Sequence, residues 1–140
     1  MNILILNGPN LNLVGEREPN QYGLLTMDKI IADAKDYAEK AGHSVDYFQS
    51  NHEGEIIDKI HSARTIYDGI VLNAGALAHY SYAVRDAIKA ICIPVVEVHM
   101  SNIQNREEFR KTSVIASVCV GVISGFSGKS YILGIAALSD

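Results

Sequence analysis

The sequence predicts an α/β fold: a doubly wound parallel sheet of five strands with helices packed on both faces. Three observations carry that prediction. Short apolar runs alternate along the chain with longer stretches of helical periodicity. The 140 residues match one domain, which usually spans about 100–200 residues, so residues 1–140 are read as a single unit. No repeat, linker or low-complexity tract interrupts the alternation. Strands that alternate with helices require right-handed crossovers, and these give parallel strands covered on both sides.

The elements follow in order. Residues 3–6, Ile-Leu-Ile-Leu, are a buried-strand run. Residues 26–41 read as a helix: Thr26 can cap it, Ile30, Ile31, Ala34, Tyr37, Ala38 and Ala41 fall on one face, and Gly42 ends it. Residues 44–48 are a second strand. Residues 54–67 are a second helix, with Ile56, Ile57, Ile60, Ala63 and Ile66 as its apolar face. Residues 69–72 are a third strand, 80–90 a third helix and 94–98 a fourth strand. A short helix over 106–112, a fifth strand over 118–123 and a closing helix over 129–138 complete the chain. Five strands at this length fit the flavodoxin-like arrangement, with strand order 2-1-3-4-5.

Composition narrows the function. Hydrophobic residues make up 48% and charged residues 20%, below the usual ~25%. That leaves apolar surface for self-association to cover. Net charge is −4, from 12 basic and 16 acidic side chains, and no Lys/Arg cluster appears, so nucleic acid is not an expected partner. Residues 1–6 are apolar but short and lack a basic flank, which predicts neither a signal peptide nor a membrane span. Cys92 and Cys119 form neither a disulfide framework nor a zinc pattern and read as buried thiols. A cytoplasmic protein is expected, with no membrane partner.

In sheets of this kind ligands bind beyond the carboxyl ends of the strands, near the point where strand order reverses. Those ends are polar here: Asn7-Gly8-Pro9-Asn10, Gln49-Ser50-Asn51-His52, Asn73-Ala74-Gly75, Glu97-Val98-His99-Met100-Ser101-Asn102 and Ser124-Gly125. The connection over residues 8–25 is long for a compact domain and is predicted to be a lid. It holds Arg17 and Tyr22, flanked by Gly15 and Gly23. Glu97 and His99, two apart in a strand, share one face, and the carboxylate can orient the imidazole. A carboxylate in the apolar run around Val95, Val96 and Val98 is expensive to bury unless paired. Arg106 and Arg110, four apart, are expected on one face of the short helix. Amides, a hydroxyl, two histidines and arginines on one edge suit a polyhydroxylated carboxylate.

Other chemistries fit poorly. The run from Gly125 to Ser130 imitates a phosphate loop but has two residues between its glycines where four are needed, and Ile123 stands where the first glycine belongs. A phospho-receiver domain needs an aspartate where this chain has Asn73. The histidines make no metal-ligand spacing, and no Gly-x-Gly-x-x-Gly follows the first strand. No metal and no cofactor is expected.

The chain resembles the type II 3-dehydroquinate dehydratases over nearly its whole length. The resemblance rests on ordered blocks: Ile5-Leu6-Asn7-Gly8-Pro9-Asn10-Leu11-Asn12, Gly15-Glu16-Arg17-Glu18-Pro19 with Tyr22-Gly23, and Gln49-Ser50-Asn51. Leu72-Asn73-Ala74-Gly75-Ala76, His79-Tyr80-Ser81, Arg85-Asp86-Ala87, the Glu97–Asn102 block, Arg106-Glu107-Glu108-Phe109-Arg110 and Gly121-Val122-Ile123 continue it. Met100 stands where the family often has isoleucine, at a position that offers mainly its backbone amide, and the 126–130 segment has no close match.

The resemblance implies dehydration of 3-dehydroquinate to 3-dehydroshikimate, in the shikimate pathway, by anti elimination through an enolate and without metal or Schiff base. It implies Tyr22 as general base, Arg17 as the cation that activates it, and His99 as the general acid, oriented by Glu97. Asn10 is implied to help stabilise the enolate through a bound water. Asn73, His79, Ser101 and Arg110 match substrate-binding positions beside the Met100 amide, Arg106 matches an arginine near the base, and Asp86 matches a residue that reaches into a neighbouring subunit's site. The implied assembly is a dodecamer, a tetramer of trimers. The chemistry is sound: a free phenol has a pKa near 10, and a guanidinium beside it favours the phenolate. Two other readings share the scaffold, a non-catalytic flavodoxin-like small-molecule binding module and a metal-dependent hydrolase. Turnover of dehydroquinate in the presence of a chelator separates all three.

Overall fold

The computed structural model describes residues 1–16 and 25–139. Five parallel strands, β1 (Asn2–Asn7), β2 (Ser44–Gln49), β3 (Gly69–Asn73), β4 (Val95–His99) and β5 (Gly121–Ser124), form one sheet in the order β2-β1-β3-β4-β5, as the alternation predicts. Helices α1 (Met27–Lys40) and α4 (Lys129–Ser139) cover one face, and α2 (Glu53–Ala63) and α3 (Tyr82–Ala90) the other. Successive strand side chains point to opposite faces, and the core divides accordingly. Ile3, Ile5, Val71, Val96 and Val98 pack with Ile30, Ala34, Tyr131 and Ile135. Leu4, Leu6, Ile70, Leu72 and Val95 pack with Ile56, Ile60, Val84 and Ile88.

The register brings the polar strand ends level. Asn7 lies between Gln49 of β2 and Asn73 of β3, Leu72 pairs with Glu97, and His99 pairs with Ser124. Two glycines permit close approaches that set this edge. A Cβ on Gly8 would fall 2.4 Å from the Ala74 carbonyl oxygen, where the Gly8 N–H already donates to the Asn73 carbonyl at 2.8 Å. A Cβ on Gly134 would lie 2.9 Å from Val71 Cγ1, so the lack of a side chain there lets α4 settle onto the sheet.

Several element boundaries differ from expectation, each for a local reason. The first helix carries its expected cap, with Thr26 Oγ1 accepting from the Lys29 N–H. The second helix stops at Ala63, and Ile66 is exposed rather than on an apolar face. The chain must turn there: the Tyr67 N–H returns to the Ala63 carbonyl, and the Asp68 N–H donates to the Asn2 carbonyl, which starts β3 beside β1. The third helix starts at Tyr82, because Ser81 caps it, while Gly75–His79 forms a separate 3-10 turn. Instead of one helix over 106–112, 3-10 turns span Ile103–Asn105 and Glu108–Lys111, and Arg106 lies between them in extended conformation. Arg106 and Arg110 therefore share no helix face. The fifth strand begins at Gly121 rather than 118, because Ala116–Val118 is held in a 3-10 turn.

Candidate active site

The carboxyl ends of β1, β3 and β4 open into a cleft of about 590 Å³, counting the open space at its mouth. This is the edge where the strand order reverses. Asn10 lines the cleft after β1, Asn73 at the end of β3, His79 at the end of its 3-10 turn, and His99, Met100 and Ser101 at the end of β4. Arg106 and Arg110 reach it from the two later turns. The two arginines thus converge as predicted, though by loop geometry and not along a helix. Glu97 sits behind His99, fully buried. Asp86 is exposed on α3 and lies outside this cleft. Arg17 and Tyr22 lie outside the described residues.

Glu97 and His99 meet as the two-residue spacing requires, with 2.5 Å between Glu97 Oε2 and His99 Nε2. A carboxylate oxygen accepts, so Nε2 carries the proton and Nδ1 is the ring nitrogen left for the cleft. The other oxygen, Oε1, accepts from Ser113 Oγ at 2.8 Å. Both oxygens of a wholly buried carboxylate are therefore engaged, as burial of charge demands.

His79 is fixed differently. Its Nδ1 lies 2.9 Å from the Thr112 carbonyl, which can only accept, so Nδ1 is protonated and Nε2 of the neutral ring is an acceptor. The ring stacks on His99 with centroids 5.7 Å apart and meets Phe109 edge-on. Burial pushes the His79 pKa below its ordinary 6.5, helped by His99 and Arg110 and opposed by the Thr112 hydrogen bond and Glu97. The sign is toward the neutral acceptor: His79 stays uncharged at pH 7 and gains its proton only below the ordinary imidazole range. An NMR titration of its ring protons should find a midpoint under 6.5, and a midpoint above it would contradict this assignment.

Asn73 is oriented by a buried network that sequence reasoning missed. Its Nδ2 donates to the Tyr131 hydroxyl at 2.9 Å, and its Oδ1 accepts from the Gly75 N–H at 3.2 Å. Tyr131 in turn donates to Asn7 Oδ1 at 2.8 Å, and Asn7 Nδ2 donates to the Tyr47 hydroxyl at 3.2 Å. With Oδ1 engaged by backbone, Asn73 has its second N–H to offer the cleft. Tyr131→Phe should leave a buried amide donor and acceptor without this bridge. The expected result is a loss of about 1–3 kcal/mol in urea unfolding, together with a raised KM. The one signal in the sequence was a tyrosine within the apolar run of the last helix.

The arginines are held but not consumed. Arg106 donates to Ser101 Oγ at 3.1 Å, and Arg110 pairs with Glu107 at 3.1 Å while lying over the Phe109 ring. Asn10 adopts left-handed backbone (φ 71°), and its N–H donates to the Asn51 side chain at 3.0 Å. Cationic and N–H donors therefore share one cleft with the His79 and His99 rings, an arrangement suited to a hydroxylated carboxylate. Among the described residues no group of three His, Cys, Asp or Glu side chains could hold a metal ion.

Comparison with known proteins gives a consistent result. The family model described as dehydroquinase class II matches residues 1–139. A 3-dehydroquinate dehydratase from Caldicellulosiruptor bescii is 55% identical over 139 residues, covering 99% of this chain and 96% of that protein. One from Bacillus cereus is 56% identical over 138 residues, covering 99% and 94%. The crystal structure of a type II dehydroquinase from Butyrivibrio crossotus superposes with a TM-score of 0.97 at 47% identity, covering 100% of this chain and 98% of that one.

Proposed function

As a member of the class II dehydroquinase family the chain is a lyase that dehydrates 3-dehydroquinate, and we propose that it does so by anti elimination through an enolate. Tyr22, as phenolate beside Arg17, removes the proton alpha to the ketone. Negative charge passes to the carbonyl oxygen, where Asn10, acting through a water, stabilises it. His99, protonated at Nδ1, then gives that proton to the departing hydroxyl. The C–O bond breaks, water leaves and 3-dehydroshikimate remains; Tyr22 then gives up its proton and His99 regains one, which restores the enzyme. Asn73, Ser101, Arg106, Arg110 and the Met100 amide hold the carboxylate and hydroxyls, and His79 Nε2 accepts from a substrate hydroxyl. The segment 8–25 acts as the lid that excludes water.

The observation that carries this reading is the Glu97–His99 pair, with one ring nitrogen held by the carboxylate and the other left for a cleft lined by amides and arginines. The test is the appearance of the conjugated enone when purified protein meets 3-dehydroquinate, with chelator present and after borohydride treatment alongside substrate. Activity should survive both. Borohydride inactivation with a covalent substrate adduct means an imine mechanism and overturns the scheme.

The protein works in the cytoplasm, in the shikimate pathway, as a homo-oligomer of twelve chains arranged as four trimers. No helix among the described residues is long and apolar enough to cross a membrane. The exposed Tyr80, Tyr82, Phe109, Val120 and Val122 supply apolar surface for assembly. Asp86, exposed and away from its own cleft, serves the site of a neighbour. Light scattering should find the oligomer, and a fully active monomer would refute the shared site.

A further inference from the structure

We infer that Ser113 is a positioning residue for the acid, acting through Glu97 on His99; this deepens the reading above and rests on it. A serine hydroxyl has one proton to give and two lone pairs to accept with. At Ser113 both accepting positions are taken, by the Ile115 N–H at 3.3 Å and the Ala116 N–H at 3.1 Å. The single proton is therefore committed to Glu97 Oε1, 2.8 Å away. The hydroxyl cannot rotate to another acceptor without abandoning the two amides that begin the Ala116–Val118 turn.

This commitment has a consequence for the acid. An oxygen that already accepts from a fixed donor is the poorer place for a proton, so Oε1 acts as an acceptor. Any proton shared between carboxylate and imidazole lies on the line between Oε2 and Nε2. The carboxylate is also held against rotation, because Oε1 is tied to the loop after the Glu108–Lys111 turn and Oε2 to the imidazole. The ring is thereby kept in one orientation, with Nδ1 left for the cleft. When Nδ1 gives its proton to the leaving hydroxyl, Nε2–H remains on Glu97 and the ring ends neutral. Without Ser113, Oε1 is a buried acceptor with no donor. The carboxylate then turns, or takes the ring proton, and fewer rings stand ready to donate at Nδ1.

The role belongs to the hydroxyl and not to the turn alone, which gives the experiment its contrast. Ser113→Ala removes the donor with little change of volume, and Ser113→Thr keeps it. Steady-state kinetics with 3-dehydroquinate should find kcat lowered about 10–100-fold in Ser113→Ala, with KM within about twofold of the parent, since a hydrogen bond to a charged group is removed outside the binding cleft. Ser113→Thr should restore kcat to within a few-fold. A Ser113→Ala enzyme with parental kcat overturns the inference, as does equal loss in Ala and Thr variants, which would mean that only the turn matters. A change confined to KM also overturns it. If Ser113→Ala fails to fold, Ser113→Cys, of similar shape but a poor donor, takes its place with the same expected loss. Failure of the wild-type protein to turn over substrate refutes the underlying assignment instead, so the two failures are distinguishable.

Discussion

Tyr22→Phe is expected to lower turnover of 3-dehydroquinate about 10²–10⁴-fold, the usual consequence of losing a general base. The ring is kept, so substrate affinity and folding should change little. On the proposed scheme Arg17→Ala keeps the phenol but removes the cation that would favour its ionised form, so the variant should need a higher pH to ionise it. Raising the pH should therefore partly rescue Arg17→Ala, because more Tyr22 ionises in solution, and should not rescue Tyr22→Phe. Parallel pH–rate profiles of both variants and the parent check this. Near-parental turnover in Tyr22→Phe would move the base elsewhere, with His79 or His99 the next candidate.

Glu97→Gln should be nearly as damaging, and for a reason visible in the geometry. Two donors converge on this side chain, Ser113 Oγ–H on one oxygen and His99 Nε2–H on the other. A carboxylate accepts both. An amide has one oxygen and one NH₂ group, so one of the two donors must face another donor. If the oxygen stays with Ser113, the NH₂ group confronts His99, and the nitrogen that faces it must lose its proton. The ring is then held neutral and is a much weaker acid. Turnover should fall about 10²–10⁴-fold, as for loss of an acid. Stability should fall by about 1–3 kcal/mol, from a donor left buried without an acceptor. Urea unfolding and single-turnover kinetics on the same preparation measure both. Full turnover with a lowered melting point would leave Glu97 a purely structural role.

The Glu97→Gln and Ser113→Ala variants also probe different bonds to one carboxylate. Their effects should not add in the double variant, since residues in one hydrogen-bonded network act as a unit. The His79 tautomer is set separately, by the Thr112 carbonyl.

The sequence by itself determined the sheet, its strand order and the polar edge at its carboxyl ends. Apolar period is a property of a few consecutive residues, and backbone geometry alone converts it into strands and helices. The same locality explains why Glu97 and His99 could be paired in advance: residues two apart in a strand share a face whatever surrounds them. The roles proposed for Arg17 and Tyr22 rest on the resemblance alone, since an arginine and a tyrosine five apart carry little meaning by spacing. Element ends were less legible. The second helix stops at Ala63 because Asp68 must reach the Asn2 backbone, a demand that comes from β1 and not from residues 54–67.

Only the tertiary structure decided how the His99 imidazole and the Asn73 amide are held. Ser113 lies 16 positions from Glu97, and Tyr131 lies 58 from Asn73 and 124 from Asn7. No periodicity links residues at such separations. They meet because sheet register levels Asn7 with Asn73, because α4 crosses the sheet closely at Gly134, and because a 3-10 turn returns Ser113 beneath β4. Each hydroxyl then satisfies a buried polar group that water cannot reach. That requirement, set by burial in three dimensions, selected the partners.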